Sequence, residues 1–367
     1  MTAPTRAHAP STSIGRASLF LWAAAVAATA AAHPGGLDSN GGHVERTTGQ
    51  YHCHRDDCVP PAAETGSGAE IAVASFNIQF LGNSRRRDNQ ALASMLGRFD
   101  IVVVQELVSP PFAGTFPNGK PFRPDAEAAA FFEAMQALGF DFVLSPEDTG
   151  TGDRIHRNGS ATEWWVVFFD PETVRPDARL PQGFLAGDRS NHQSYERVPY
   201  AFAFSSERGA LDFVLVSVHL QPGSGSRDAA RRAEEIAAIV QWVDANDEHE
   251  QDFLILGDMN IEDCEELEAV MPSGYASLND RCLPTNTNVN GPRPYDHVFY
   301  RTGDTSEAEL PRAMEVVDLI DAMAASWPAD SDDPYPGDPY HHNRFRAIYS
   351  DHHPITFVLV SGDADDD

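Results

Sequence analysis

The stretch FLILGDMNIED at 253–263 constrains this chain most. It opens as an unbroken apolar run, Phe253-Leu254-Ile255-Leu256, the pattern of a strand buried on both faces. The run breaks at Gly257 and then offers Asp258 and Asn260. In an extended chain those two side chains share a face. A carboxylate beside a carboxamide suits holding a water molecule, or a phosphate oxygen, in a fixed direction. Taken alone, the stretch reads more simply as a polar turn after a core strand.

Other stretches are built the same way. IAVASFNIQFL at 71–81 ends its apolar part at Phe76 and shows Asn77. IVVVQEL at 101–107 ends in Gln105-Glu106, and FVLVSVHLQ at 213–221 carries His219. Nearer the C-terminus, Asp296-His297 precede Val298-Phe299-Tyr300, and Asp351-His352 precede the run 354–359. Polar groups at the ends of several core strands are the sequence signature of a shared cleft. By strand alternation His297 and His353 point away from their neighbours and read as structural.

The elements between these stretches define the fold class. Helices are expected over 87–98, 125–138 and 226–243, the second with Ala128, Phe131, Phe132, Met135 and Leu138 on one face. In the third the apolar face is Ala229, Ala233, Ile236, Ala237, Val240 and Val243. Strands are expected over 140–144 and 164–169, with a Gly-rich loop at 148–160 between them, and a hairpin from 198–204 and 213–220. Residues 302–348 form an acidic, Pro- and Tyr-rich insertion, in which 314–324 is either a strand or a short helix and 328–346 a long loop over the cleft. The pattern is α/β, with two mixed β-sheets packed face to face.

Composition limits the partners. The net charge is −29, and Lys120 is the only lysine among 367 residues. Such a chain lacks a broad electrostatic surface for nucleic acid, because phosphate affinity normally comes from Lys and Arg. A phosphate ligand must be gripped locally, by a metal and a few arginines. Residues 1–32 read as a signal peptide: Arg6 and Arg16, a short apolar stretch at 17–28, then Ala30-Ala31-Ala32. The product is expected to be secreted, free of stable membrane association and monomeric.

Residues 33–58 are rich in His, Cys and Gly, with YHCH at 51–54; Cys53 and Cys58 form either a disulfide or part of a small metal knot with His52 and His54. Residues 59–68 are a linker by composition, 69–362 the catalytic region and 363–367 an acidic tail. Four cysteines suit an oxidising compartment, with two local disulfides the simplest pairing.

Taken in order, SFNIQFL, VVQEL, SVHL, GDMN, YDHVFY and SDHHP resemble the endonuclease/exonuclease/phosphatase superfamily, in the manner of deoxyribonuclease I-like secreted nucleases. Arg197-Val198-Pro199 resembles that group's Arg-x-Pro segment, which places an arginine at the phosphate, and Cys264 and Cys282 resemble its disulfide loop. The resemblance implies a four-layer α-β-β-α sandwich, divalent metal (Mg²⁺, with Mn²⁺ or Ca²⁺ as alternatives) and cleavage of a phosphoester, DNA first. Residue by residue, it implies metal ligation by Asn77, Glu106 and Asp351. It makes Asp258 and Asn260 the pair that positions water and phosphate, Asp296 and His352 a dyad, and His219 with Glu163 a second histidine–carboxylate pair. Two positions depart: Ala161 stands where deoxyribonuclease I has a tyrosine, and Gln79 where some relatives have an aspartate near the metal.

The chemistry is consistent with these types. Hydrolysis of an anionic phosphoester needs an activated water, neutralised charge and a stabilised leaving oxygen. Carboxylates and a carboxamide oxygen are hard ligands for Mg²⁺ or Ca²⁺. Imidazoles held by carboxylates transfer protons near neutral pH, and which histidine is acid and which base stays open. The rival readings are a phosphatase, a phosphodiesterase acting on sphingomyelin or inositol phosphates, and a catalytically inactive binding module.

Overall fold

The computed structural model describes residues 42–44, 51–53 and 69–361, apart from 84–86, 151–161, 189–192, 249, 304–312 and 328–339. The expected signal, linker and acidic tail, Cys58, and parts of the 148–160 and 328–346 loops lie outside the described residues. The chain divides into two compact units, Met1–Thr65 and Gly66–Asp367. In the first, Gly42–Val44 pairs antiparallel with Tyr51–Cys53, His43 opposite His52.

The second unit is built on two sheets. The first contains β1 (Ala69–Leu81), β2 (Ile101–Leu107), β3 (Asp141–Leu144) and β4 (Trp164–Phe169). The second contains β5 (Val174–Pro176), β6 (Gly183–Phe184), β7 (Tyr200–Ser206), β8 (Asp212–His219), β9 (Phe253–Asp258), β10 (Tyr275–Ser277) and β11 (Asp296–Arg301). The chain then returns to the first sheet with β12 (Glu315–Val316) and β13 (Ile355–Ser361). Strand order is β12-β13-β1-β2-β4-β3 in one sheet and β6-β7-β8-β9-β11-β10 in the other, with β5 on β7. Both sheets are mixed: β1/β2 and β8/β9 are parallel, and the other pairs antiparallel.

Strand alternation makes the layers. On β2, Ile101 and Val103 join Leu254, Leu256 and Val298 of the other sheet in the central core. Val102 and Val104 point the other way, toward Leu92, Phe131 and Phe132 of α1 (Asn89–Leu96) and α2 (Ala126–Ala137). On β9, Phe253 and Ile255 pack against Ile236, Ile239 and Val243 of α3 (Ser226–Asp244). The result is a four-layer α-β-β-α sandwich. Asp88 and Asp125 start α1 and α2 by accepting N–H bonds from the first turn.

Several local expectations change. Leu138 is 44 % exposed, because α2 ends one residue earlier. The buried face of α3 is rotated from the apolar one: Arg232 and Glu235 are buried and Ala237 is exposed. Both polar side chains hold loops. Glu235 accepts the N–H groups of Glu196 and Gln221, while Arg232 donates to the Gln221 and Gly223 carbonyls and pairs with Glu266. Residues 314–324 hold both a strand, β12, and a short helix, Leu319–Ala322. Where a loop was expected, His342–Arg346 is helical, as is Cys264–Val270 after the β9 end. Cys264 and Cys282 are disulfide-bonded.

Candidate active site

Register brings the site together. Across three neighbouring strands of the second sheet, His219 stands opposite Asp258 and Asp258 opposite Asp296. Their inward neighbours one pair back, Leu256 and Val298, belong to the central core, so all three side chains face between the sheets. Asn77 reaches in from β1 of the first sheet. Behind them Gln105 Nε2 donates to Ser75 Oγ and Ser217 Oγ, each at 3.2 Å, which ties the two sheets together at this level. Gly257 has φ +137°, and a Cβ there would run into the Val218 carbonyl, so the close parallel pairing requires glycine.

Backbone strain marks the same place. Gln79, Phe80, Glu106 and Asn260 all have φ between +49° and +63°, and all line one cleft of about 450 Å³. Non-glycine residues in this region cost of order 1–3 kcal/mol each and concentrate at functional sites. At Glu106 the left-handed turn breaks the pairing of β2 after Val104 and swings the carboxylate out of the helix-side core. At Asn260 it corrects the sequence argument. The strand stops at Asp258, and Asn260 lies beside it through a turn, its N–H donating to Asp258 Oδ1 at 2.9 Å and its Nδ2 to the Leu220 carbonyl at 3.1 Å.

Asp296 and His352 form a tight pair, with His352 Nδ1 2.8 Å from Asp296 Oδ2. Thr285 Oγ donates to the same oxygen at 2.6 Å and accepts the Asp296 N–H. Burial pushes the Asp296 carboxyl up against the pull of His352. Burial opposes charge on His352 too, but Asp296 and Asp258 outweigh it and hold the imidazole well above its ordinary value.

His219 and Glu163 form the second pair, Nδ1 to Oε1 at 3.0 Å. Arg197 Nε sits 2.9 Å from the same Glu163 oxygen, and Glu163 Oε2 accepts the Glu106 N–H at 2.7 Å. Trp165 Nε1 holds the Arg197 segment by donating to the Val198 carbonyl. Burial raises the Glu163 carboxyl, yet His219, Arg197 and the Glu106 N–H bring it below its ordinary value. For His219, burial and Arg197 lower the pKa, but Glu163 and Asp258 prevail and raise it.

Both pairs meet at Asp258. Its Oδ2 lies 3.4 Å from His352 Nε2 and 3.5 Å from His219 Nε2, and accepts Asn77 Nδ2 at 2.9 Å. Burial disfavours its charge, but the two imidazoles and its N–H donors hold the pKa below the usual range.

Glu106 and Asp351 stand apart from this hub. Glu106 accepts Asn77 Nδ2 at 3.1 Å and the Phe80 N–H at 3.1 Å. Burial, then Glu163 and Asp351, push its carboxyl up despite His219. Asp351 is partly exposed and pairs with Arg346 Nη2 at 3.1 Å. Two hard carboxylates at a crowded acidic wall are a donor set that a divalent cation fits and relieves. Asp258, Asp296 and His352 also bring ligand atoms within 4.8 Å of one another. Both nitrogens of His352 already face carboxylates there, so an imidazolium serves that cluster as its cation. Asn77, expected as a ligand, turns its NH₂ to the two carboxylates, and its oxygen accepts the Gln79 N–H at 3.0 Å, which leaves that oxygen a second lone pair.

His297 and His353 lie outside the cleft. Burial drives His297 down to about 4, and its Nδ1 contacts Ser277 Oγ at 3.1 Å. His353 Nδ1 accepts the Leu319 N–H at 2.9 Å. Sequence reasoning missed Thr285, Tyr295 and Arg346. Tyr295 directly precedes the Asp296 motif and its ring centroid lies 5.7 Å from that of His352, so its adjacency was a usable signal. Thr285 sits in a loop and Arg346 on a five-residue helix, neither with a periodic pattern to place it.

Residues 74–352 match the family model described as Endonuclease/Exonuclease/phosphatase family. The chain belongs to that family. Members of the Endonuclease/Exonuclease/phosphatase family are phosphoester hydrolases that generally use divalent metals. No curated protein matches the sequence. Similar solved structures include the human Nocturnin catalytic domain with bound sulfate, at 15 % identity over 79 % of this chain and 94 % of that one, TM-score 0.49. A mannosyl-6-phosphatase of Bacteroides thetaiotaomicron is 15 % identical over 79 % and 99 %, TM-score 0.49. D. rerio TDP2, complexed with single strand DNA product, is 14 % identical over 79 % and 99 %, TM-score 0.46.

Proposed function

We propose that this chain is a secreted, divalent-metal-dependent phosphodiesterase that cuts nucleic acid, DNA first, by attack of water at phosphorus. The observation that carries the reading is the convergence of two histidine–carboxylate pairs on one ionised carboxylate, Asp258. Resemblance of Arg197-Val198-Pro199 and of the Cys264–Cys282 loop to deoxyribonuclease I supports nucleic acid as substrate. The 1–32 segment and the disulfide suit an exported protein.

In this reading Glu106 and Asp351 hold the cation, which when bound neutralises charge on the phosphate. The chain's own residues do the rest. Asp258, kept ionised, orients the attacking water and takes its proton, with Asn260 fixed beside it. Arg197 lines the cleft, anchored through Nε on Glu163, and its guanidinium would grip a non-bridging oxygen. His219 and His352, both raised, enter as imidazoliums. One stabilises the charge that builds at phosphorus while the other delivers a proton to the leaving oxygen as the P–O bond breaks.

The test is incubation of purified protein with plasmid DNA, RNA, sphingomyelin and a phosphomonoester, with Mg²⁺, Mn²⁺, Ca²⁺ or EDTA. Plasmid nicking with metal and none in EDTA is expected. Hydrolysis of sphingomyelin or the monoester alone would move the chain to a rival class, and full activity in EDTA would remove the metal.

A further inference from the structure

Arg87, just ahead of α1, has a side chain only 2 % exposed and takes no part in the chemistry above. Its Nη2 donates to two carbonyls from distant parts of the chain, Gln79 at 2.6 Å and Tyr349 at 3.0 Å, and its Nε to that of Ile348 at 3.4 Å. Nη1 lies 3.4 Å from Glu127 Oε1 in the first turn of α2, and the other Glu127 oxygen accepts the Gly82 N–H. One guanidinium therefore joins three segments: the end of β1, the start of α2 and the end of the insertion. Each carbonyl on Nη2 is a short step from a carboxylate offered above to the cation. Gln79 precedes Phe80, whose N–H holds Glu106 Oε2 at 3.1 Å. Tyr349 lies two residues before Asp351, and Ser350 between them donates from Oγ to the Asn77 carbonyl at 2.6 Å. Gln79 and Phe80 are also left-handed, at φ +49° and +59°, a conformation that non-glycine residues keep only where their surroundings hold them.

We infer that Arg87 is a positioning residue that sets the spacing of Glu106 and Asp351, and through it the affinity of the chain for its divalent cation. The inference rests on the cation site of the reading above and adds the device that preforms it. Glu106 and Asp351 repel each other, and Asp351 is among the charges that push the Glu106 carboxyl up. Without a clamp they relax apart, and a cation must draw them together at the expense of its own binding. A guanidinium suits the task because its planar fork fixes the directions of its donors, whereas an ammonium on a flexible stem does not. Burial lowers the Arg87 pKa against the pull of Glu127 and Glu106, so the same group also bears on the charge of the site. Arg87→Lys separates the two contributions, because it keeps the positive charge and loses the fork.

The test measures Mn²⁺ binding to the full chain, without substrate, by the EPR signal of the free ion. It compares wild type with Arg87→Lys and with the double variant Arg87→Met/Glu127→Met, which leaves neither buried charge without its partner and so keeps a folded protein in hand. Thermal unfolding followed by circular dichroism sets a temperature at which each is folded. Both variants should bind Mn²⁺ roughly 10- to 100-fold more weakly, the usual cost of losing a group that orients metal ligands. In plasmid nicking the Mn²⁺ concentration for half-maximal rate should rise by the same factor, and excess Mn²⁺ should restore most of kcat. Variants that melt earlier yet bind Mn²⁺ as wild type does would make Arg87 a purely structural group and overturn the inference. Wild type whose Mn²⁺ binding is untouched by Glu106→Gln and Asp351→Asn would overturn the cation site itself. Mn²⁺ binding that both Arg87 variants weaken, in a protein that cuts no diester, would keep the clamp and overturn the catalytic reading instead.

Discussion

The two histidine–carboxylate pairs look equivalent in sequence terms and are built differently. Asp296–His352 is closed: the carboxylate faces one imidazole and one threonine hydroxyl, and no arginine approaches it among the described contacts. Glu163–His219 is open: Arg197 shares the same carboxylate oxygen, and the other oxygen holds the backbone of the ligand candidate Glu106. The electrostatics follow. Asp296 acts on His352 alone, whereas Glu163 divides its charge between an imidazole and a guanidinium that opposes the imidazole's protonation. One pair is arranged to hold a proton. The other is arranged to couple proton, phosphate and metal positions, so breaking it should disturb several steps mildly.

The largest effect should come from the closed pair. Asp296→Asn keeps the shape but removes the charge that supports the imidazolium, and it admits the wrong tautomer. A loss of roughly 10²- to 10⁴-fold in kcat is expected, with KM much less changed. His352→Ala should cost about as much, and the double variant little more than either, because a unit broken once cannot be broken again. Steady-state kinetics on plasmid or oligonucleotide decides this. Losses that multiply in the double variant would mean the residues act separately.

Glu163→Gln should cost less, roughly 10- to 100-fold, since Gln still accepts the Glu106 N–H. Because Arg197 loses its anchor, KM should rise together with the fall in kcat, a split the closed pair does not show. A pure kcat effect would place Arg197 away from the phosphate.

Smaller still, and a direct contrast, is Arg197→Gln. Arg197 lowers the His219 pKa, so its removal should raise it, and the imidazole should stay protonated to higher pH. Titration of the His219 ring protons by NMR reads this. A downward shift would mean that Arg197 sustains the charge on Glu163 more than it repels His219.

How far the sequence revealed this site depended on distance along the chain. Residues at strand ends were legible, because alternation and burial are local: Asn77, Glu106, His219, Asp258 and Asp296 all close apolar runs or open them. The two packed sheets were legible for the same reason, whereas the four-layer order was what the family resemblance implied. Roles that depend on a backbone turn were not. Asn260 reaches its neighbour through a left-handed residue and not along an extended strand, and Asn77 turns its NH₂ to the carboxylates while its oxygen accepts the Gln79 N–H. The buried face of α3 was misjudged because hydropathy places charged side chains outside, while Glu235 is held inside by the two loop N–H groups it satisfies. Arg346 and Thr285 carry no periodicity at all, and only the folded chain brings them to Asp351 and Asp296.

Thr285 supplies the mildest test of the comparison. It lies just after the Cys264–Cys282 bridge, wholly buried, and exchanges two hydrogen bonds with Asp296. Thr285→Val keeps the volume but removes both. The Asp296 N–H is then left buried without that acceptor, a stability cost of about 1–3 kcal/mol. The carboxylate loses one charge-assisted donor, so its ionised form is less favoured and its hold on His352 slackens. One such bond is worth roughly the 1.4 kcal/mol that changes a rate tenfold, so kcat should fall by about tenfold or less. Thr285→Ser retains the hydroxyl and should recover most of that loss, which a purely structural role for the side chain would not require. The effect should vanish in the Asp296→Asn background, where the charge being supported is gone. If Thr285→Val were equally damaging there, the threonine would act on the loop and not on the pair, and the closed unit would be the dyad alone.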